Sequence, residues 1–205
     1  MTQLVASCND WIGFHLVDDM LDHGYKVNGI EDSAKEDMLT MFFGRNSSFQ
    51  IVNSETKEYY EHAILTNGNK KLSEVNAEHI LVINPGENRS RGSKETFIFA
   101  PLLYGEWMPM NKQGIIHGKE VIPFDSKRFQ QDAIYIKEFT KLLIQCMKVK
   151  ELSPNLYVKT KEMTKREKEK LENSIYIRDN IPKKKRIEQV MKHYEQFKSM
   201  YNSKD

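Results

Sequence analysis

Apolar positions along the chain change period several times, and those changes predict the elements. Residues 3–8 (Gln-Leu-Val-Ala-Ser-Cys) form a short apolar run suited to a buried strand. From Asp10 the period becomes 3.6, with Ile12, Leu16, Val17, Met20 and Leu21 on one face, the pattern of an amphipathic helix. Gly24 follows Asp22-His23 and ends that helix as a C-cap glycine does. Residues 25–30 read as a second strand, 34–43 as a helix and 49–52 as a third strand. The clearest strand is 78–83, stopped by Asn84-Pro85-Gly86; 96–100 is another, stopped by Pro101. Strands alternating with helices imply a mainly parallel sheet in an α/β domain.

Beyond Pro101 the pattern is less regular. Residues 105–131 carry Gly, Pro and scattered aromatics without a sustained period, and are read as loops. A brief strand at 133–136 runs into a helix with Phe139, Leu142, Leu143, Cys146 and Met147 inward, and 156–158 reads as the last strand. Residues 161–172 are highly charged, an exposed helix or a linker. Ile187, Val190, Met191, Tyr194, Phe197, Met200 and Tyr201 then mark an amphipathic C-terminal helix.

Composition narrows the class. At 205 residues, 29% charged and 39% hydrophobic, the chain is long enough for a real core and too apolar for wholesale disorder. No apolar run reaches the length of a membrane span. The N-terminal Met1-Thr2-Gln3-Leu4 lacks a basic leader and reads as the start of a strand. Two cysteines, Cys8 and Cys146, each in an apolar element, fit a reduced cytoplasmic protein. Charge is uneven: residues 1–158 hold 17 Lys/Arg against 21 Asp/Glu, and 159–205 hold 14 against 8. The expected division is therefore a Rossmann-like domain over 1–158 and a basic C-terminal extension with its helix over 159–205.

A strand, a tight turn, a helix and an acidic residue closing the next strand make up the dinucleotide-binding plan. In these residues the chain resembles the extended short-chain dehydrogenase/reductases, the NAD-dependent sugar-nucleotide epimerases and dehydratases. Pro101-Leu102-Leu103-Tyr104-Gly105 is similar to that family's RPxxVYG strand end. Asp132-Ala133-Ile134-Tyr135-Ile136-Lys137-Glu138 is similar to its DFIYVDD segment, and Ile187 to Tyr194 to its closing helix. The resemblance implies a doubly wound, mainly parallel, shortened Rossmann-like sheet.

The departures are more informative. The family turn TGxxGxxG reads Ala6-Ser7-Cys8-Asn9-Asp10-Trp11-Ile12-Gly13 here. Gly13 survives, and its job is close helix–strand packing. Ser7 replaces the tight-turn glycine, and Asp10 replaces the glycine that lets the backbone approach the pyrophosphate. A carboxylate about 4 Å from a phosphate repels it by roughly 1 kcal/mol in water-like surroundings and roughly 4 kcal/mol in a partly buried site. Asp10 is also placed to cap the helix with its own oxygen, filling the anion site. Glu31 stands where the family's ribose-binding acid stands, and Glu55 where an acidic residue near the adenine is usual; an ordinary surface role is the alternative for both. Trp11, Ile12 and Trp107 fall near the implied cofactor cleft, with core packing as the alternative for the tryptophans. The expected cofactor is thus none, or weakly bound NAD(H).

Family catalysis uses a Tyr and a Lys four residues on along a helix, which belongs between the 78–83 and 96–100 strands. Only Asn84 to Glu95 separate them, too few for the missing elements. The two YxxxK matches, Tyr157/Lys161 and Tyr194/Lys198, lie elsewhere, and Tyr194 fits the packing stripe of the last helix. The six histidines show no metal-ligand spacing. Lys183-Lys184-Lys185-Arg186 reads as a solvated loop rather than a nucleic-acid contact. The expectation is a non-catalytic binding or regulatory protein working through a weakly held nucleotide, a protein partner or self-association, without membrane. Ile80, Val82, Phe97 and Phe99, on the shortened side of the sheet, would need the C-terminal helix or another chain as cover. The alternative is an NAD(P)-dependent epimerase, dehydratase or reductase with rearranged catalytic residues.

Overall fold

The N-terminal apolar run forms β1 (Thr2–Ala6), and the 3.6-period stretch forms α1 (Trp11–Asp22). Gly24 ends that helix at φ 78°, a conformation glycine adopts without steric cost. The computed structural model describes residues 1–32, 38–66, 75–86, 89–166 and 173–201. In chain order β2 (Lys26–Ile30), a 3-10 turn (Thr40–Phe43), β3 (Phe49–Ile51), β4 (Tyr60–Thr66), β5 (Ala77–Ile83) and β6 (Glu95–Phe99) follow. Then come β7 (Leu103–Tyr104), β8 (Gly114–His117), β9 (Glu120–Pro123), α2 (Lys127–Asp132), β10 (Ile134–Tyr135) and α3 (Ile136–Cys146). The chain continues through β11 (Asn155–Thr160), α4 (Lys161–Arg166), β12 (Ser174–Ile177), α5 (Lys183–Gln196) and α6 (Lys198–Tyr201).

The eight-stranded sheet has the order β12-β11-β6-β5-β4-β1-β2-β3. From β11 to β3 every neighbouring pair is parallel. The chain divides into two compact units, Met1–Ala100 with Thr140–Tyr157, and Pro101–Phe139 with Val158–Asp205.

In the first unit, register sorts the strand residues onto two faces. Leu4 pairs with Ala63, Leu65 with Val82, and Val82 with Phe97. These residues share one core cluster with Ala6, Ile30 and Tyr60, and Val52, Val75, Ile80 and Phe99 pack against it. Val82 and Phe97 are therefore buried, while Ile80 and Phe99 are half-buried. The alternate residues, among them Val5, Ile64, Leu81 and Ile98, are buried on the opposite face. Helices α1 and α3 are joined by a buried hydrogen bond from Thr140 to the Asp19 carboxylate.

Several elements differ from the sequence reading. Tyr60–Thr66 was absent from it, yet β4 is a central strand between β1 and β5. Its alternation is blurred because both faces are covered, so polar His62 and Thr66 are buried beside Ala63, Ile64 and Leu65. The 105–131 stretch holds an antiparallel hairpin, β8 with β9, and the short helix α2, capped by Ser126 accepting from the Phe129 N–H. Strand β12 follows β11, so 156–158 is not the last strand. Of the helix expected over 34–43, residues 33–37 lie outside the described residues and 40–43 form a 3-10 turn. Of 161–172, α4 covers the first part and 167–172 lie outside the described residues. The C-terminal helix breaks at Phe197 into α5 and α6. Its buried residues are Val190 and Tyr194, and Trp107 packs against His193 and Phe197 within the second unit.

Candidate functional site

The β1–α1 turn is tight and lies against the start of the helix. Ser7 sits at φ 55°, the left-handed region that glycine enters most easily. The Asp10 N–H donates to the Ser7 carbonyl at 2.9 Å and closes the turn. A Cβ added at Gly13 would stand 2.8 Å from the Ser7 carbonyl carbon and 2.9 Å from Cys8 Cα. The helix therefore approaches the turn as only glycine permits. Cys8 packs above Gly29, where an added Cβ would stand 2.6 Å from its Sγ. Burial, reinforced by the Glu31 charge, pushes the Cys8 thiol up to about 12, so it is packing rather than a nucleophile.

Asp10 is the N-cap residue by position, with extended backbone at φ −85° and ψ 156°, and it is buried. Its side chain makes no capping hydrogen bond to the helix. This corrects the expectation that its oxygen takes the helix amides. The negative charge still sits at the start of α1. Trp11 is half-buried with its edge toward His15 at 6.4 Å between centroids, and Ile12 is buried.

The Cys8 N–H donates to the Ile30 carbonyl at 3.1 Å, tying the turn to the end of β2. There Asn9 pairs with the backbone N–H and carbonyl of Asp32, and one Glu31 oxygen accepts from Thr40 Oγ1 at 2.6 Å. The structure thus gathers Ser7, Asp10, Trp11, Ile12 and Gly13 at the turn, with Glu31 at the end of the neighbouring strand. Glu55 lies in the exposed turn after β3, its N–H donating to Asn53 Oδ1 at 3.1 Å. The partnership of Asn9 with Asp32 was missed in the sequence; an Asn two residues before the first helical residue is its signal.

In the second unit, two stretches that carried the resemblance meet. Leu103 pairs with Ile134 and Tyr104 with Tyr135 as a two-stranded parallel sheet. At Gly105 a Cβ would stand 3.1 Å from Ile136 Cβ, so the glycine after Tyr104 is a close-approach position. Tyr135 donates to the Glu106 carboxylate at 2.9 Å, and the Arg186 guanidinium lies over its ring at 4.2 Å. Arg186 also pairs with Glu138 at 3.3 Å, both side chains largely buried. Lys183 Nζ donates to the Phe129 and Gln130 carbonyls, at 3.3 and 2.9 Å. Two members of the basic run at 183–186 are therefore structural, and the run opens α5 rather than forming a loop. Burial raises the phenols of Tyr104, Tyr135 and Tyr201 well above their ordinary range, which keeps them protonated and poor as bases near neutral pH.

This unit also holds a cavity of about 500 Å³ lined by Gln131, Tyr135, Thr160, Arg178, Asp179 and Lys183 among others. The buried Gln131 Oε1 has no hydrogen-bond partner among the described residues, an acceptor that a donor-bearing ligand could satisfy. The two YxxxK matches make no catalytic pair on a shared helix. Tyr157 stacks on Phe99 at 4.9 Å while Lys161 opens α4. Tyr194 is buried in α5, and Lys198 lies beyond the break at Phe197.

The strand order and the strand–turn–helix define a Rossmann-like fold. Similar solved structures include a Thermotoga maritima UDP-glucose 4-epimerase with UDP-glucose, at TM-score 0.59 and 11% identity, covering 96% of this chain and 99% of that one. A yeast methylglyoxal/isovaleraldehyde reductase complexed with NADPH matches at TM-score 0.55 and 12% identity, over 97% and 100%. Vestitone reductase from alfalfa matches at 0.52 and 10%, over 76% of each chain. At these identities the likeness is one of fold. No protein-family model and no curated protein matches the sequence significantly. No helix among the described residues is long and apolar enough to cross a membrane. For a dinucleotide, Gly13 fits the close helix–strand approach of the plan, and Asp10 stands where that plan has a glycine.

Proposed function

We propose that this chain is a binding or regulatory protein on a dinucleotide fold, without the catalysis of its enzyme look-alikes. The observation that carries the reading is the link between β5 and β6. These strands are parallel neighbours, and the described residues between them, 84–86 and 89–94, hold no helix to present a Tyr and a Lys. Asp10 at the start of α1 supports weak or absent NAD(H) binding. Half-buried Ile80 and Phe99, on the side of the shortened links, support a protein partner or self-association there. Two buried free cysteines support a reducing, cytoplasmic setting.

A second reading, an NAD(P)-dependent epimerase, dehydratase or reductase with rearranged residues, is favoured by the second unit's cavity and its orphaned Gln131 oxygen. Saturating titrations with NAD and NADP, followed by turnover assays on sugar nucleotides and small carbonyl compounds, separate the two. The first reading expects no hydride transfer. Turnover abolished by Tyr157→Phe or Tyr194→Phe would establish the second.

A further inference from the structure

The end of the sheet opposite the β1–α1 turn carries two histidines that strand pairing sets side by side. His62 on β4 is the register partner of His79 on β5, and their rings stack at 5.5 Å between centroids and 26° between planes. They line a cavity of about 260 Å³ together with Tyr25, Glu61, Glu78 and Met147.

The hydrogen bonds around His62 fix its ring. Gln3 Oε1 accepts the His62 backbone N–H at 3.1 Å, and Gln3 Nε2 donates to Glu61 at 3.1 Å, so the amide orientation is set. The same Oε1 lies 3.1 Å from His62 Nδ1. An oxygen that can only accept requires Nδ1 to carry the proton, which leaves the Nε2 lone pair free. A carbonyl holding one ring nitrogen so that the other can coordinate is the outer-shell arrangement of metal-binding histidines. His79 is more exposed, with Nε2 at 3.8 Å from a Glu78 oxygen.

We propose that His62 and His79 form a site for a divalent transition-metal ion, Zn2+ or Cu2+, with Glu78 or water completing the coordination. Two imidazole nitrogens on one tetrahedral Zn2+ stand about 3.3 Å apart. A turn of the exposed His79 ring from its stacked position is the adjustment the site requires. The cavity's charges balance: Lys148 and Lys150 at its rim offset Glu61 and Glu78. Two imidazoles beside a buried thioether offer lone pairs of borderline and soft character, which favour Zn2+ or Cu2+ over Mg2+ or Ca2+. Among the described residues the acidic trio Asp18, Asp19 and Asp22 is the competing cluster. It offers hard oxygen ligands only, and Asp19 already accepts from Thr140.

The test uses the full, untagged chain after chelator treatment. Titration calorimetry with Zn2+ should give one ion per chain, and Cu2+ should give an electron paramagnetic resonance spectrum with nitrogen splitting from imidazole. His79→Gln should weaken binding about tenfold or more, and His62→Gln likewise. Asp18→Asn with Asp22→Asn should leave it unchanged. Should His62→Gln not fold, His79→Gln decides alone, since that side chain is 40% exposed. No binding of either ion, unchanged binding in His79→Gln, or binding lost in the aspartate double variant overturns the proposal.

Discussion

Asn9 and Asp32 hold the turn after β1 to the end of β2 with two reciprocal hydrogen bonds. Asn9 Oδ1 accepts the Asp32 N–H at 2.7 Å and Nδ2 donates to the Asp32 carbonyl at 3.0 Å. One buried amide thus pairs with both backbone groups of Asp32. Asn9→Ala leaves them without that partner, and such losses cost about 1–3 kcal/mol each. Urea denaturation should show a lower midpoint with an unchanged slope. Unaltered stability would mean that the turn is held from elsewhere.

Gly13 is set by sterics in the same turn. A side chain there would meet the backbone of Ser7 and Cys8, which cannot rotate away. Gly13→Ala should therefore destabilise by about 1–3 kcal/mol. Gly86→Ala is the control, since an added Cβ there meets nothing within 4 Å. Equal effects of the two substitutions would contradict the close approach of α1 to the turn.

Asp10 sets the third expectation. If its charge opposes a pyrophosphate at the start of α1, Asp10→Gly relieves at least about 1 kcal/mol of repulsion. NAD(H) affinity should then rise about fivefold or more by fluorescence titration. Glu31 should favour NAD over NADP, because a carboxylate accepts a 2′-hydroxyl and repels a 2′-phosphate. Tight NAD binding by the unmodified chain, unimproved by Asp10→Gly, would remove Asp10 from the explanation.

The sequence reading reached the fold through strong local signals. The 3.6 period of α1 and the glycine at its end, the apolar run of 78–83, and the Tyr104-Gly105 and Ile134-Tyr135 segments all lie where the pattern put them. What it missed depended on contacts between distant residues. Strand β4 is covered on both faces, so its polar His62 and Thr66 broke the apolar run without giving alternation. With β4 unseen, His62 and His79 were two scattered histidines, because only strand register brings them together. Lys183 and Arg186 read as a solvated charge run, and their burial depends on carbonyls at Phe129 and Gln130 and on the carboxylate of Glu138. The Asp10 carboxylate is likewise a local N-cap by sequence, and only the folded turn shows it without the capping bond.

Protonation of His193 should make the chain's stability depend on pH. Tyr201 Oη accepts the Trp107 N–H at 2.7 Å and lies 2.7 Å from His193 Nδ1. A neutral His193 can accept the phenol's proton at Nδ1, while a protonated one can only donate to the phenol oxygen. Trp107 itself holds φ 63°, a strained conformation for a large residue, and its indole packs against His193, Phe197 and Tyr201. Burial lowers the His193 pKa below its ordinary value, and the Glu106 charge opposes that shift in part. A histidine whose folded pKa is depressed binds fewer protons folded than unfolded, so stability rises with pH across that window. Its contribution is complete above the ordinary value of 6.5, falls as pH drops below 6.5, and levels off beneath the lower folded pKa. His62 shifts in the same direction, so the slope of the unmodified chain alone does not isolate His193. Urea midpoints at pH 7.5, 6.5 and 5.5 should fall less steeply in His193→Gln than in the unmodified chain. Tyr201→Phe should lower stability at every pH, by about 1–3 kcal/mol, because it leaves the Trp107 N–H without its acceptor. An identical pH slope in His193→Gln would show that this imidazole stays neutral or stays charged in both states, and that the link between Trp107, Tyr201 and His193 does not sense protons.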